Sequence, residues 1–343
     1  MSNKIPAVDG VRGLALLNVL ILHATGLFFP SINVYLPGTA QFGVWLFFVL
    51  SAFLLTNRFF VTGFSVKSML SYFLGRSLRI LPVFFLAAYV YYLAGFFDDQ
   101  KLTQLLTLSG TFLHFWTIPV EFKFYFILPF IAYMSIRLTR QYNAYVAAGA
   151  LVSLIVIQQY YYPYTDLSLG GRMPYYMPAF LCGMIASCFY MDKKPVNVNP
   201  FISDMISIAV IAGCVMSAPE FIKIFGVEEK GWLYNKFLYF APGMALFVLV
   251  QCYGRGVFAS MMKSRVMTHI GNWSFSIYLW HFLILQRMGP FNHYNTTIYI
   301  VAIIACIGLG AISYYMIEEP CERFRHKIMA AISSINIGIN KAV

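Results

Sequence analysis

Two ionisable side chains in the run VDGVRGLALLNVLILHA, residues 8–24, offer chemistry that the surrounding leucines and valines cannot. Arg12 carries a permanent guanidinium charge whose planar donors match phosphate and carboxylate oxygens. His23 carries an imidazole, whose ordinary pKa of about 6.5 suits proton transfer near neutrality. The two stand eleven positions apart. At ~100° per residue that is about 20° past three full turns, with a rise of roughly 16 Å. Arg12, Ala15, Val19, His23 and Gly26 therefore share one stripe of a helix. A snorkelling arginine and an interhelical histidine hydrogen bond would account for the same two residues without chemistry.

Other segments carry polar groups at matching depths. Ser51 lies in FFVLSAFLL, Glu121 in HFWTIPVEFKFY and His281 in SFSIYLWHFLIL. GRSLRILP supplies Arg76 and Arg79, which are i,i+3 neighbours on one helix face. Simple anchoring at the membrane surface is the alternative for these two arginines. Taken together, the cations suit a polyanion, most simply phosphate groups, and the histidine suits proton abstraction. A carboxylate lies beyond it. Such a layout fits a phosphorylated donor arriving from one membrane face and an acceptor near the other.

The elements that must position these groups follow from composition. The chain has 343 residues, is 60% hydrophobic and 11% charged, and has a mean hydropathy of +0.70. Soluble domains carry about 25% charged residues, so the expectation is an all-α integral membrane protein. A single membrane domain is expected over 1–343, with a core at 8–325 and a cytoplasmic tail at 326–343. Spans of about 20 apolar residues are expected near 11–29, 42–60, 78–97, 118–136, 144–161, 174–191, 201–219, 232–253, 267–287 and 296–317. Residues 102–115 are too short and polar to cross and are expected to be interfacial or re-entrant. The first span lacks a cleavage site and is expected to be a retained helix.

The formal charge of +11 does not point to nucleic acid, because the basic residues fall in small groups between apolar runs. Seventeen of them, including Lys4, Arg12, Arg58, Lys67, Arg137, Arg140, Lys193, Lys194, Arg255 and Lys341, fall on one side of the ten-span arrangement. Five fall on the other: Lys101, Arg172, Lys223, Lys230 and Arg287. The positive-inside rule then places both termini in the cytoplasm. Six scattered cysteines form no CxxC or Cys/His pair with zinc spacing, and no metal is expected.

The sequence resembles the acyltransferase-3 family of membrane-bound O-acyltransferases, which includes bacterial O-antigen and exopolysaccharide O-acetylases. VDGVRGLALLNVLILHA is similar to the family's LDGLRGLAALLVVLxH opening, and FFVLSAFLL to FFVLSGFLL with Ala52 in place of glycine. Arg76, Arg79, Ile80 and Pro82 match RxxRIxP. FWTIPVEFKFYFILP resembles LWSLSVEEQFYLLLP, NWSFSIYLWHFLIL resembles ISYSLYLWHxPVL, and YMIEEPCERF resembles YxxIEKPxRR. The matches run in order from Val8 to Phe324. In the fourth motif Phe122, Lys123 and Pro119 replace a carboxylate, a glutamine and a serine, so the lone Glu121 must suffice or acceptor recognition must differ.

The resemblance implies acetyl-CoA or another acyl-CoA as donor, and as acceptor a hydroxyl on a sugar of a cell-surface polysaccharide or a lipid-linked glycan. It places the chain in the bacterial cytoplasmic (inner) membrane as a multi-pass protein. Arg12, Arg76 and Arg79 would hold the coenzyme A phosphates, and His23 would be the general base. Glu121 would orient His23 or hold the sugar. Trp116 would stack on the sugar or anchor at the interface. Ser51 or Tyr278 would stabilise the oxyanion, and His281 would handle protons or bind the acceptor. A transporter of a small organic anion and an acyltransferase for a cytoplasmic small-molecule hydroxyl stand as rivals.

Overall fold

Polar caps mark where several of the apolar runs become helices. The computed structural model describes residues 5–166, 172–192, 198–226 and 232–339, and no strand occurs among them. Lys4, Lys193, Lys194, Lys230 and Lys341 of the charge argument lie outside the described residues. The long helices are α1 (Pro6–Phe28), α2 (Gln41–Thr62), α3 (Val66–Leu93), α4 (Thr117–Gln141), α5 (Ala144–Tyr161) and α6 (Met173–Asp192). They continue as α7 (Pro200–Met216), α8 (Phe237–Tyr253), α9 (Arg265–Met288), α10 (Thr296–Ser313) and α11 (Glu319–Ile339). Side chains of Ser65, Asn143, Ser264 and Asn295 accept first-turn N–H groups of α3, α5, α9 and α10, which satisfies donors that a helix start leaves unpaired.

Each expected span overlaps one of α1–α10. Six stretches are long and apolar enough to cross a membrane: Ala7–Phe28, Gln41–Thr62, Val66–Leu93, Leu113–Gln141, Ala144–Tyr161 and Thr296–Ala330. Helices α7 and α8 are apolar but shorter. In α9 the apolar run is diluted by Ser274, Ser276 and His281, all buried in the interior. Large apolar side chains such as Phe130, Val156 and Ile304 are exposed on the outside, as a lipid-facing surface requires.

Two boundaries differ from expectation. The third helix begins at Val66 and not near 78, because the Ser65 cap starts it early. The polar turns through Ser71 and Arg76 therefore belong to the same rod. Residues 102–115 divide into a short helix, Asp99–Leu106, and a 3-10 turn, Leu113–Trp116, that runs into α4. That turn buries His114. At the other end, a π-helical turn, Tyr314–Glu318, joins α10 to α11, so the helix carries on past 326 to Ile339.

The most extensive packing in the bundle is α1 on α9, and glycine makes it so close. A Cβ on Gly271 would collide with the backbone oxygen of Asp9, and one on Gly13 would stand 2.6 Å from the Met267 oxygen. This approach sets the first helix's stripe against the ninth's polar face. Helix α2 packs on α6 and α1, and the aromatic core of Trp45, Phe48, Phe53, Phe124 and Phe180 fills the space around it.

Candidate functional site

Arg12 from α1 and Arg76 and Arg79 from α3 converge on one cavity of about 90 Å³. Ser51, Thr117, Glu121, Tyr125 and Tyr278 line it too, with an apolar wall that includes Phe47, Phe48 and Leu54. Among the described residues, none of the three arginines has an ion-pair partner. The Nε of Arg76 is buried without a hydrogen-bond partner. Cations gathered in a low-dielectric bundle are costly unless compensated. Asp9, Glu121 and Glu318 act on Arg12 and Glu318 acts on Arg79 without a direct ion pair, and guanidinium geometry suits phosphate oxygens.

The one carboxylate lining this cavity is held by hydroxyls. Ser51 Oγ donates to Glu121 Oε1 at 2.5 Å, and the Tyr125 hydroxyl donates to the same oxygen. Tyr125 follows Glu121 by four residues, so α4 presents both on one face. Phe122 and Lys123 are turned roughly 100° and 200° away from Glu121, and Lys123 is exposed. Their departure from the family pattern thus falls off this face.

The histidines form a second group. His23 Nδ1 lies 2.9 Å from His281 Nε2, with the rings stacked 5.2 Å apart at an interplanar angle of 3°. His281 Nδ1 lies 2.6 Å from the Tyr278 carbonyl oxygen. A carbonyl only accepts, so for a neutral pair His281 carries its proton on Nδ1 and accepts at Nε2. His23 must then donate from Nδ1, which leaves its Nε2 lone pair free. His281 is fully buried, whereas His23 is half-buried.

His114, which the sequence reading left without a role, completes the group. Its ring centroid is 4.9 Å from that of His281. Its Nε2 donates to the Leu279 carbonyl at 3.1 Å, and its Nδ1 is buried without a partner. The Tyr91 hydroxyl reaches across the same turn, donating to Leu279 O and accepting from Leu283 N–H. These contacts brace α9 where it carries His281. An ionisable residue inside the apolar run FLHFW was the available signal.

Tyr278 stands between the two groups. It lines the arginine cavity, its carbonyl fixes His281, and its hydroxyl donates to His114 O at 2.7 Å. Thr117 donates to that hydroxyl at 3.1 Å. The expected meeting of His23, Ser51, Glu121 and His281 in one region thus resolves into two adjoining compartments. Glu121 contacts Ser51 and Tyr125, and the partner of His23 is His281. The hydroxyl protons of Ser51 and Tyr278 are both directed at other acceptors here. Trp116 packs on Tyr176 and Phe48 and lines neither compartment.

A family profile described as an acyltransferase domain matches residues 5–316. The "Putative acetyltransferase ORF330" of Acidianus two-tailed virus is 27% identical over 304 residues, covering 84% of this chain and 85% of that protein. The O-acetyltransferase OatA of Staphylococcus aureus (strain NCTC 8325) is 21% identical over 365 residues, covering 95% of this chain. The match takes in 58% of the OatA length, so the chain spans little more than half of that relative. No solved structure matches the chain.

Proposed function

The chain belongs to the acyltransferase-3 family, and on that premise we propose that it is a membrane O-acetyltransferase. Its donor is a coenzyme A thioester, and its acceptor is a hydroxyl of a sugar in a cell-surface polysaccharide or lipid-linked glycan. The observation that carries this reading is the arginine cavity, three cations without a direct ion pair among the described residues, linked through its lining residue Tyr278 and then His281 to a histidine with a free lone pair. Ten spans, with both termini and the arginine end facing the cytoplasm of a bacterial inner membrane, complete the proposal. The donor then loads from the cytoplasm, and the acceptor approaches from the histidine side.

Arg12, Arg76 and Arg79 bind the donor's phosphate groups, and the orphaned Arg76 Nε is one donor suited to them. The apolar wall of Phe47, Phe48 and Leu54 takes the uncharged arm. His23 Nε2 removes the proton of the acceptor hydroxyl as its oxygen attacks the thioester carbonyl carbon. The C–O bond forms, the C–S bond breaks, and protonated His23 returns the proton to the departing thiolate. His281 Nε2 accepts a hydrogen bond from His23 Nδ1–H throughout, and so fixes the tautomer that leaves His23 Nε2 basic. Glu121, held by Ser51 and Tyr125, sits on the cavity side, where it orients the arginines or the reacting end of the donor.

Radiolabelled acetyl-CoA supplied to the full chain in nanodiscs tests this reading. Label is expected to move into glycan or lipid acceptor with release of coenzyme A. Transport of an anion into liposomes with no transfer of label would replace it with the transporter.

A further inference from the structure

The line of cations does not stop at Arg76. Next to the arginine cavity, the end of α2, the start of α3 and the exposed face of α11 frame an open groove of about 480 Å³. Arg58, Lys67, Ser71, Arg325 and His326 line it. Arg58 Nη2 donates to Ser71 Oγ at 2.8 Å, and Arg325 Nη1 reaches the same hydroxyl at 3.4 Å. Glu322 neutralises Arg325. Arg58 and Lys67 have no ion-pair partner among the described residues.

Gly75 joins the two sites. A Cβ there would stand 3.2 Å from Arg325 Cδ and 3.7 Å from Arg58 Nη1, and the next residue, Arg76, faces the cavity. Both guanidinium side chains therefore cross α3 where a side chain is missing. The N-terminal end of this 28-residue helix opens on the groove through Ser65 and Lys67 and adds the positive end of its dipole. From Lys67 to Arg79 is twelve residues, roughly 18 Å along the axis. One diphosphate is too short to engage both ends of such a row, so the row suits two separated anionic groups.

We infer that this groove is a second phosphate subsite, which takes a phosphomonoester lying one sugar away from the phosphates held by Arg12, Arg76 and Arg79. The inference rests on the acyl-CoA reading above, in which that group is the donor's 3′-phosphate. A phosphomonoester lipid headgroup has the same chemistry, so the test must separate the two sources.

The test is binding of coenzyme A and of 3′-dephospho-coenzyme A to the full chain in nanodiscs, with and without phosphatidic acid. The wild type should bind coenzyme A at least about tenfold more tightly, the effect of one charge-assisted contact. Lys67→Ala and Arg58→Ala should each shrink that ratio by raising the Kd for coenzyme A alone. Lys67 is exposed, so its variant stands even if loss of the Arg58–Ser71 bond impairs folding. Equal affinity of the wild type for both ligands overturns the subsite, as does a variant that weakens both alike. Equal affinity with phosphatidic acid binding lost in Lys67→Ala assigns the groove to lipid instead. Binding of neither coenzyme overturns the acyl-CoA reading itself, a failure distinct from failure of the subsite.

Discussion

The two compartments on either side of Tyr278 are built on opposite electrostatic plans. On one side, three arginines share a cavity with no ion-pair partner among the described residues, and the charges that oppose them, hydroxyl-bound Glu121, buried Glu318 and Asp9, act from beyond contact distance. On the other, three histidines pack ring against ring, and their hydrogen bonds run to one another or to backbone carbonyls. The first region keeps guanidinium donors free, among them the buried Arg76 Nε. The second is neutral and nearly satisfied, with two nitrogen lone pairs left over, His23 Nε2 and His114 Nδ1. The contrast teaches that the bundle keeps its cationic groups and its neutral imidazoles apart, with Tyr278 touching both; under the proposed function this separates donor binding from proton transfer.

Substitutions can break that division, and the largest effect is expected at the base. His23→Ala should cut acetyl transfer by about 10²–10⁴-fold, with donor affinity unchanged when both are measured on the same preparation. Next comes its partner. His281→Ala leaves His23 Nδ1 without an acceptor, and a misplaced base costs on the order of 10²-fold. His281→Gln retains an acceptor and should recover part of that rate, whereas a purely structural role would show no such rescue in single-turnover assays.

On the arginine side the expected signature changes. Arg76→Ala should raise the donor Kd by roughly 10–100-fold, the value of a charged hydrogen bond, and titration with coenzyme A reads it. The rate at saturating donor should move far less. The smallest effect is expected at Tyr278. Tyr278→Phe removes the bond to His114 O and should destabilise the protein by about 1–3 kcal/mol, visible in thermal unfolding. Its effect on rate should be a few-fold, because the carbonyl that fixes His281 remains.

Periodicity alone made part of this legible. Arg12 and His23 share a stripe because eleven residues nearly close three turns, and Arg76 and Arg79 share a face at i,i+3. Which helix meets which was not legible. The α1–α9 approach depends on Gly13 and Gly271 meeting backbone across the interface, and no single-helix pattern reveals that pairing. For that reason the sequence offered Glu121 either to orient His23 or to hold the sugar, and the group the structure places against His23 is His281. His114 stayed hidden because LTQLLTLSGTFLHF is too short and polar to cross and reads as only interfacial or re-entrant. The 3-10 turn that buries it begins at Leu113, where φ is 47°. The early start of α3 was obscured by its polar first turns, which lie outside the apolar window.

The central claim is that His23 and His281 act as one unit, separate from donor binding. Single-turnover transfer by His23→Ala and by the His23→Ala/His281→Ala double variant tests it most directly, because residues acting as a unit are not additive. The double variant should transfer within about twofold of His23→Ala alone. A further loss of the full size seen in His281→Ala would contradict the unit, and wild-type transfer by His23→Ala would remove the base altogether.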